Sequence, residues 1–109
     1  GESDSNPAKA AVYQENLKGV LQSLRKELHA ADTPVIIGQL GQFSQSPWND
    51  SKRTVNEAHQ ALAKELDHAG FVSSDGLTCK SDNIHFDAKS LREFGRRYAE
   101  VYRELAKQE

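Results

Sequence analysis

Three stretches of helical hydrophobic spacing alternate with two short apolar runs along the chain. The first follows Asn6-Pro7, an N-cap residue and then a proline placed where its missing N–H costs nothing. Tyr13, Leu17, Val20, Leu21, Leu24 and Leu28 recur at three- and four-residue steps, while Gln14, Lys18, Gln22, Arg25 and Lys26 occupy much of the rest. This spacing predicts a helix that buries one face and wets the other. Thr33-Pro34 breaks the pattern, and Val35-Ile36-Ile37-Gly38-Gln39-Leu40 follows without polar alternation at its start. A β-branched run of that kind suits a strand covered on both faces, as in a parallel sheet. A loop rich in Gln, Ser and Asn spans 41–50, with Pro47-Trp48 near its end. A second helix starts at Asp50 or Ser51, or at the capping-box spacing of Thr54 and Glu57. Val55, Ala58, Leu62, Leu66 and Ala69 form its stripe, and Gly70 supplies its stop. Phe71-Val72-Ser73-Ser74 reads as a short strand. A polar loop over 75–87 leads to a third helix capped by Asp87, with Leu91, Phe94, Tyr98, Val101, Tyr102 and Leu105 facing inward.

The order α-β-α-β-α implies right-handed parallel crossovers and an α/β layered fold. Two strands are too few to cover three amphipathic helices, and parallel pairs normally sit inside larger sheets. The 109 residues are therefore expected to form the C-terminal half of a larger doubly wound domain. The other reading is a small independent α/β domain that oligomerises to cover its open sheet edge. Composition narrows the partners. Fourteen basic against sixteen acidic side chains give a net charge of −2, which offers no phosphate-binding field and speaks against nucleic acid. No unbroken apolar stretch approaches the length of a bilayer span, so no membrane partner is expected. The hydrophobic share of 37% and mean hydropathy of −0.73 are lean for a self-contained domain. A single Cys excludes an internal disulfide framework and a Cys-rich zinc site, and leaves the compartment open.

The strongest candidate for chemistry is Asp82-Asn83-Ile84-His85, in the loop between the last strand and the last helix. Loops at the carboxyl ends of strands line the active crevice of open α/β sheets. A His there can take a proton from a nucleophile and return it to a leaving group. An Asp three residues earlier can hold the imidazole tautomer and stabilise the imidazolium. Ile84 and Phe86, flanking the His, are expected to pack inward and fix its direction. As a bare pattern D-x-x-H arises often by chance, and an ordinary capping Asp beside a surface His is the competing reading. The start of the chain, Gly1-Glu2-Ser3-Asp4, reads by itself as a polar frayed terminus.

Taken together these blocks resemble a known family. Gly1-Glu2-Ser3-Asp4, followed by Tyr13 and Leu24-Arg25, resembles the Q-G-E-S-D block and succeeding helix of the SGNH-type carbohydrate esterases, in the sialate O-acetylesterase and acetylxylan esterase group. Residues 35–43, VIIGQLGQF, are similar to that group's penultimate strand and strand-end loop. Residues 72–102, VSSDGLTCKSDNIHFDAKSLREFGRRYAEVY, resemble its D-x-x-H block and C-terminal helix. The resemblance covers nearly the whole chain and implies a flavodoxin-like (SGNH hydrolase) α/β/α sandwich.

By that resemblance His85 is the general base and Asp82 its orienting carboxylate, while Gly1 lies beside the oxyanion hole and offers a backbone N–H. Glu2 and Gln39 lie near the pocket, where they shape it or hold the sugar. Other SGNH enzymes carry an Asn in the oxyanion block; Ser3 stands near that place here, so a side-chain donor must come from elsewhere. The family's nucleophilic serine belongs to a Gly-rich block near the N-terminus, and no such block occurs here. Ser44, Ser46, Ser51, Ser73, Ser74, Ser81 and Ser90 match by residue type alone, none in a Gly-x-Ser elbow. The chain is therefore expected to supply the acid–base half of a serine O-acetylesterase and to be inactive alone. Its expected partners are an O-acetylated carbohydrate and either the missing N-terminal half of the domain or another copy of itself. No metal or organic cofactor is implied. A different class of reading is a non-catalytic binding module on an esterase-like scaffold. A phosphate-binding flavodoxin-like module ranks last, because no Gly-rich strand-to-helix loop is present.

The remaining polar residues read more plainly. His59 and His68, nine apart on one predicted helix, would stand about 13 Å apart and cannot share a metal. His29 falls at a helix end, where a cation complements the dipole. Cys79 is an incidental loop thiol or, through His85, a thiolate nucleophile. Arg92, Arg96, Arg97 and Arg103 form a basic face in which Glu93 pairs with Arg96 and Arg97. Trp48 either stacks on a sugar or plugs the helix layer.

Overall fold

The computed structural model describes residues 1–107. A 3₁₀ turn at Glu2–Asp4 precedes α1 (Pro7–Glu27), β1 (Val35–Gly38), α2 (Asp50–Glu65), β2 (Ala69–Val72) and α3 (Ala88–Ala106). Each α-helix begins on a side chain that fills an orphan N–H. Asn6 accepts from the Lys9 amide at 3.1 Å, Asn49 from Lys52 at 2.9 Å and Asp87 from Ser90 at 2.8 Å. The second helix thus starts on Asn49; Thr54 instead donates to the Asp50 carbonyl within the helix.

The two strands pair in parallel, Val35 with Ala69 through Gly38 with Val72. The face carrying Ile36, Gly38, Gly70 and Val72 receives α3. Phe94, Tyr98 and Val101 pack there against Ile36 and Val72. Contact is close enough that a Cβ on Gly38 would meet the Tyr98 hydroxyl at 2.0 Å, and one on Gly70 the Val101 Cγ1 at 2.6 Å. By strand alternation Ile37 faces the other side, where α2 lies against both strands and α1 lies on α2. The core of that side joins Ala10 and Tyr13 of α1 to Val55 and Ala58 of α2. Two helices on one face and one on the other make the arrangement doubly wound, as the element order implies.

Several sequence expectations are corrected. The α2 stripe ends at Leu62; Leu66 is the C-cap, Ala69 and Gly70 belong to β2, and His68 takes the left-handed conformation at φ 52°. Gly70 is needed for close packing of α3, not to stop a helix. His68 therefore does not share a helix with His59. It makes a long contact of 3.7 Å with Asp32. On α1 the stripe is buried only at its first turns. Val20 and Leu24 are half exposed and Leu28 is 70% exposed, because α2 reaches only the N-terminal part of α1. Leu91 and Tyr102 of α3 likewise lie outside the sheet contact.

Candidate active site

The loop after β2 folds back on itself as a tight hairpin. Its base is closed where the Asp87 amide donates to the Thr78 carbonyl at 3.1 Å, the Thr78 hydroxyl bonds the Asp87 carboxylate, and the Thr78 amide donates to Ser90 Oγ at 2.7 Å. These bonds lower the pKa of the Asp87 carboxyl, the Thr78 hydroxyl being the main cause. Its waist is an antiparallel bridge between Cys79 and Phe86, with the Lys80 amide on the His85 carbonyl at 2.8 Å. Phe86 is the anchor: its ring centroid lies 5.4 Å from Phe43 and 5.0 Å from Phe94.

Asp82 to His85 occupy the tip. Asp82 Oδ1 accepts from the amides of Ile84 at 2.9 Å and His85 at 3.0 Å, while Asn83 takes φ 60°, a conformation that short polar side chains tolerate. The other oxygen, Oδ2, meets His85 Nδ1 at 2.6 Å. The carboxylate is therefore pinned by backbone before it holds the ring. His85 beside it, with those two amides, drives its pKa far below the ordinary carboxylate value. Among the described residues His85 Nε2 has no protein partner, and the ring is largely exposed. Ile84 is half exposed rather than packed inward; the turn is directed by Asp82 and Phe86 instead.

Beside the tip lies a cleft of about 170 Å³. Glu2 closes it from the N-terminal turn, Leu40, Gly41 and Phe43 from the loop after β1, Lys52 from α2, and Asn83 and Ile84 from the hairpin. Glu2 and the D-x-x-H turn, 80 residues apart, thus share one cleft. Gly1 does not line it. Its carbonyl accepts from the Asp4 amide and the Ser5 hydroxyl, and a Cβ there would meet Val55 and His59 at 3.0 and 3.2 Å. Gln39 is spent on structure: its Oε1 accepts from the Ser74 amide at 2.8 Å and from Gln42 Nε2 at 3.0 Å, and lies 3.2 Å from the Ser74 hydroxyl oxygen. Ser74, fully buried, donates in turn to the Leu40 carbonyl at 2.7 Å. This knot ties the C-terminal ends of both strands together and fixes the Leu40–Gly41 wall. Sequence reading placed Ser74 at the end of the strand and among the serines, but the strand ends at Val72; a polar residue just past a strand end was the available signal.

Cys79 Sγ is 3.8 Å from Gln45 Oε1 and from Asn83 Oδ1, and it belongs to the waist of the hairpin. The Glu93 pairs with Arg96 and Arg97 are present, and Arg97 also donates to the Ser73 carbonyl at 2.9 Å, fastening α3 to the end of β2. A buried polar pair was not anticipated. The Tyr13 hydroxyl lies 2.6 Å from His59 Nε2, and burial lowers the His59 pKa to about 4.

A parallel α/β sheet with an Asp-anchored histidine on the loop after its last strand defines a class, the doubly wound hydrolase-type folds whose catalysis sits at strand ends. Within that class the chain belongs to the carbohydrate esterase family described as sialic acid-specific acetylesterase, whose sequence profile matches residues 1–104. Its fold is part of the flavodoxin-like α/β/α sandwich. It is similar to a protein of Arabidopsis thaliana known from a 1.6 Å X-ray structure, with 28% identity and a TM-score of 0.79. The match covers 95% of this chain and 41% of that one, so the chain spans less than half the length of that protein. Comparison with curated proteins finds no match.

Proposed function

We propose that this chain is the C-terminal part of a serine carbohydrate O-acetylesterase and contributes the Asp82–His85 pair to its site. The supporting observation is the 2.6 Å contact between Asp82 Oδ2 and His85 Nδ1, with Nε2 left without a partner among the described residues. In this reading the serine comes from sequence outside the 109 residues. His85 Nε2 takes the serine proton as the hydroxyl attacks the acetyl carbonyl, and Asp82 stabilises the imidazolium. Collapse of the tetrahedral intermediate breaks the bond to the sugar oxygen, which takes that proton and leaves as a hydroxyl, and an acetyl-enzyme remains. Water, deprotonated by the same nitrogen, then releases acetate and restores the serine. The Gly1 amide is proposed to face the developing oxyanion, and Glu2, on the cleft wall, to contact the sugar. Gln39 is proposed to act through Ser74 on the cleft wall rather than by touching substrate. The bare apolar turns of α1 support packing against further sequence of the same domain.

The test uses the complete protein and an acetyl ester. Removing a triad base costs on the order of 10³–10⁶ in kcat, and losing only the orienting carboxylate about 10⁴. His85→Ala is therefore expected to abolish measurable turnover, with Asp82→Asn falling by a similar or smaller factor. Wild-type kcat in His85→Ala removes the assignment.

A further inference from the structure

Trp48 is the chain's single tryptophan, and its loop builds a second hollow beside the cleft. The indole Nε1 donates to the Gly41 carbonyl at 2.7 Å, so the polar edge of the ring is satisfied and its orientation set. Half-buried, the ring lines an open hollow of about 480 Å³ with Phe43 and Pro47, while Gln42, Ser44 and Arg53 supply its polar margin. Arg53 donates through one Nη to the Trp48 carbonyl at 3.0 Å and pairs through the other with the Asp50 carboxylate. An aromatic surface thus stands beside a planar, charge-compensated pair that retains unused donors and acceptors. The hollow and the cleft are continuous in construction. Phe43 lines both, and Gly41 lines the cleft while holding Trp48.

We infer that this hollow is a saccharide subsite, in which Trp48 stacks on the C–H face of a neutral pyranose next to the acetylated sugar. Arg53 and Asp50 bond its hydroxyls. The inference rests on the esterase reading above. A pyranose needs this combination: an apolar ring face takes an aromatic surface, and equatorial hydroxyls take few, well-placed polar groups. A carboxylated ring is disfavoured, because Asp50 already neutralises Arg53 and would repel a second carboxylate.

The experiment compares kcat/KM of the complete enzyme on 4-nitrophenyl acetate with that on O-acetylated xylobiose and O-acetylated sialyllactose. Each disaccharide-type ester is also run against its acetylated monosaccharide. In Trp48→Ala the ratio of neutral-neighbour ester to 4-nitrophenyl acetate is expected to fall about tenfold through KM, a typical aromatic-stacking loss. Trp48→Phe, which keeps a ring, is expected to restore that ratio to within about threefold. An unchanged ratio in Trp48→Ala overturns the subsite while leaving the esterase reading intact. Turnover of 4-nitrophenyl acetate with none of any sugar ester overturns the subsite as well. Equal loss on the free acidic monosaccharide puts the acetylated sugar itself in the hollow and overturns the neutral assignment. Absence of all ester hydrolysis instead removes the esterase reading on which the subsite rests.

Discussion

On one face of the sheet α3 lies against backbone, so close that Gly38 and Gly70 have no room for a side-chain carbon. On the other face α1 rests on α2 rather than on the strands, and its C-terminal turns leave Val20, Leu24 and Leu28 bare. Both helices are amphipathic by the same spacing rule. What separates them is the layer each is built on: α3 has the sheet itself, whereas α1 has a neighbour shorter than itself. The packed face is also the one that carries the D-x-x-H hairpin, since Phe86 joins the Phe94 cluster. The candidate turn sits on the side where a helix meets strand backbone directly.

Substitutions can break this contrast, beginning with the largest expected effect. Phe94→Ala removes the ring joining Phe86, Tyr98 and Val72, and is expected to cost about 3–5 kcal/mol in urea unfolding. Gly38→Ala forces a methyl into the Tyr98 hydroxyl and should cost about 1–3 kcal/mol by overpacking, read the same way. Leu28→Lys, at the bare end of α1, should fall within about 0.5 kcal/mol of the parent. Equal costs for Phe94→Ala and Leu28→Lys would erase the distinction between the faces.

A milder contrast is set by pH. His59, on the α1 side, is held neutral by burial down to about pH 4, while in the unfolded chain it takes a proton near 6.5. The folded pKa is the lower one, so this stability is present above pH 6.5 and drains away as pH falls towards 4. The urea midpoint should drop more between pH 7 and pH 5 in the parent than in His59→Gln; equal drops would exclude His59 as the cause. Asp82, on the α3 side, also has its folded pKa lowered, by His85. Its carboxylate NMR signal should stay flat through the ordinary carboxyl range near 3.9 and move only at lower pH, with His85→Ala bringing the midpoint back up. An ordinary midpoint in the parent would mean that the turn does not hold in solution.

The sequence was most legible where one residue decides a local structure. Asn6-Pro7 and Asp87 mark their helix starts because cap chemistry is local, and Val35-Ile36-Ile37 reads as a strand because β-branching is local. The end of α2 was misplaced, since Ala69 and Gly70 continue the apolar spacing yet are drawn into a ladder with Val35 and Ile36. Tertiary pairing decided there, and spacing carries no trace of it. For the same reason Asp82, His85 and an inward-packing Phe86 could be named from their interval, whereas the distant partners that seat Ser74 and Phe86 could not. Those partners are Gln39, Leu40, Phe43 and Phe94, which lie far away in sequence. The exposed end of α1 was equally invisible, because a stripe records what a helix can bury and not what arrives to cover it.

Asp87 serves two structures with one carboxylate, capping α3 through Ser90 and closing the hairpin through Thr78. The amides of Thr78, Lys80 and Ser90 therefore belong to one cooperative opening unit, and in hydrogen exchange they should lose protection at a shared free energy. Fraying of the last helix and loss of the Asp82–His85 turn become a single event. An α/β chain with an otherwise exposed histidine thereby places its D-x-x-H loop under the stability of the helix packed on its sheet, instead of leaving it to the breathing of a surface loop.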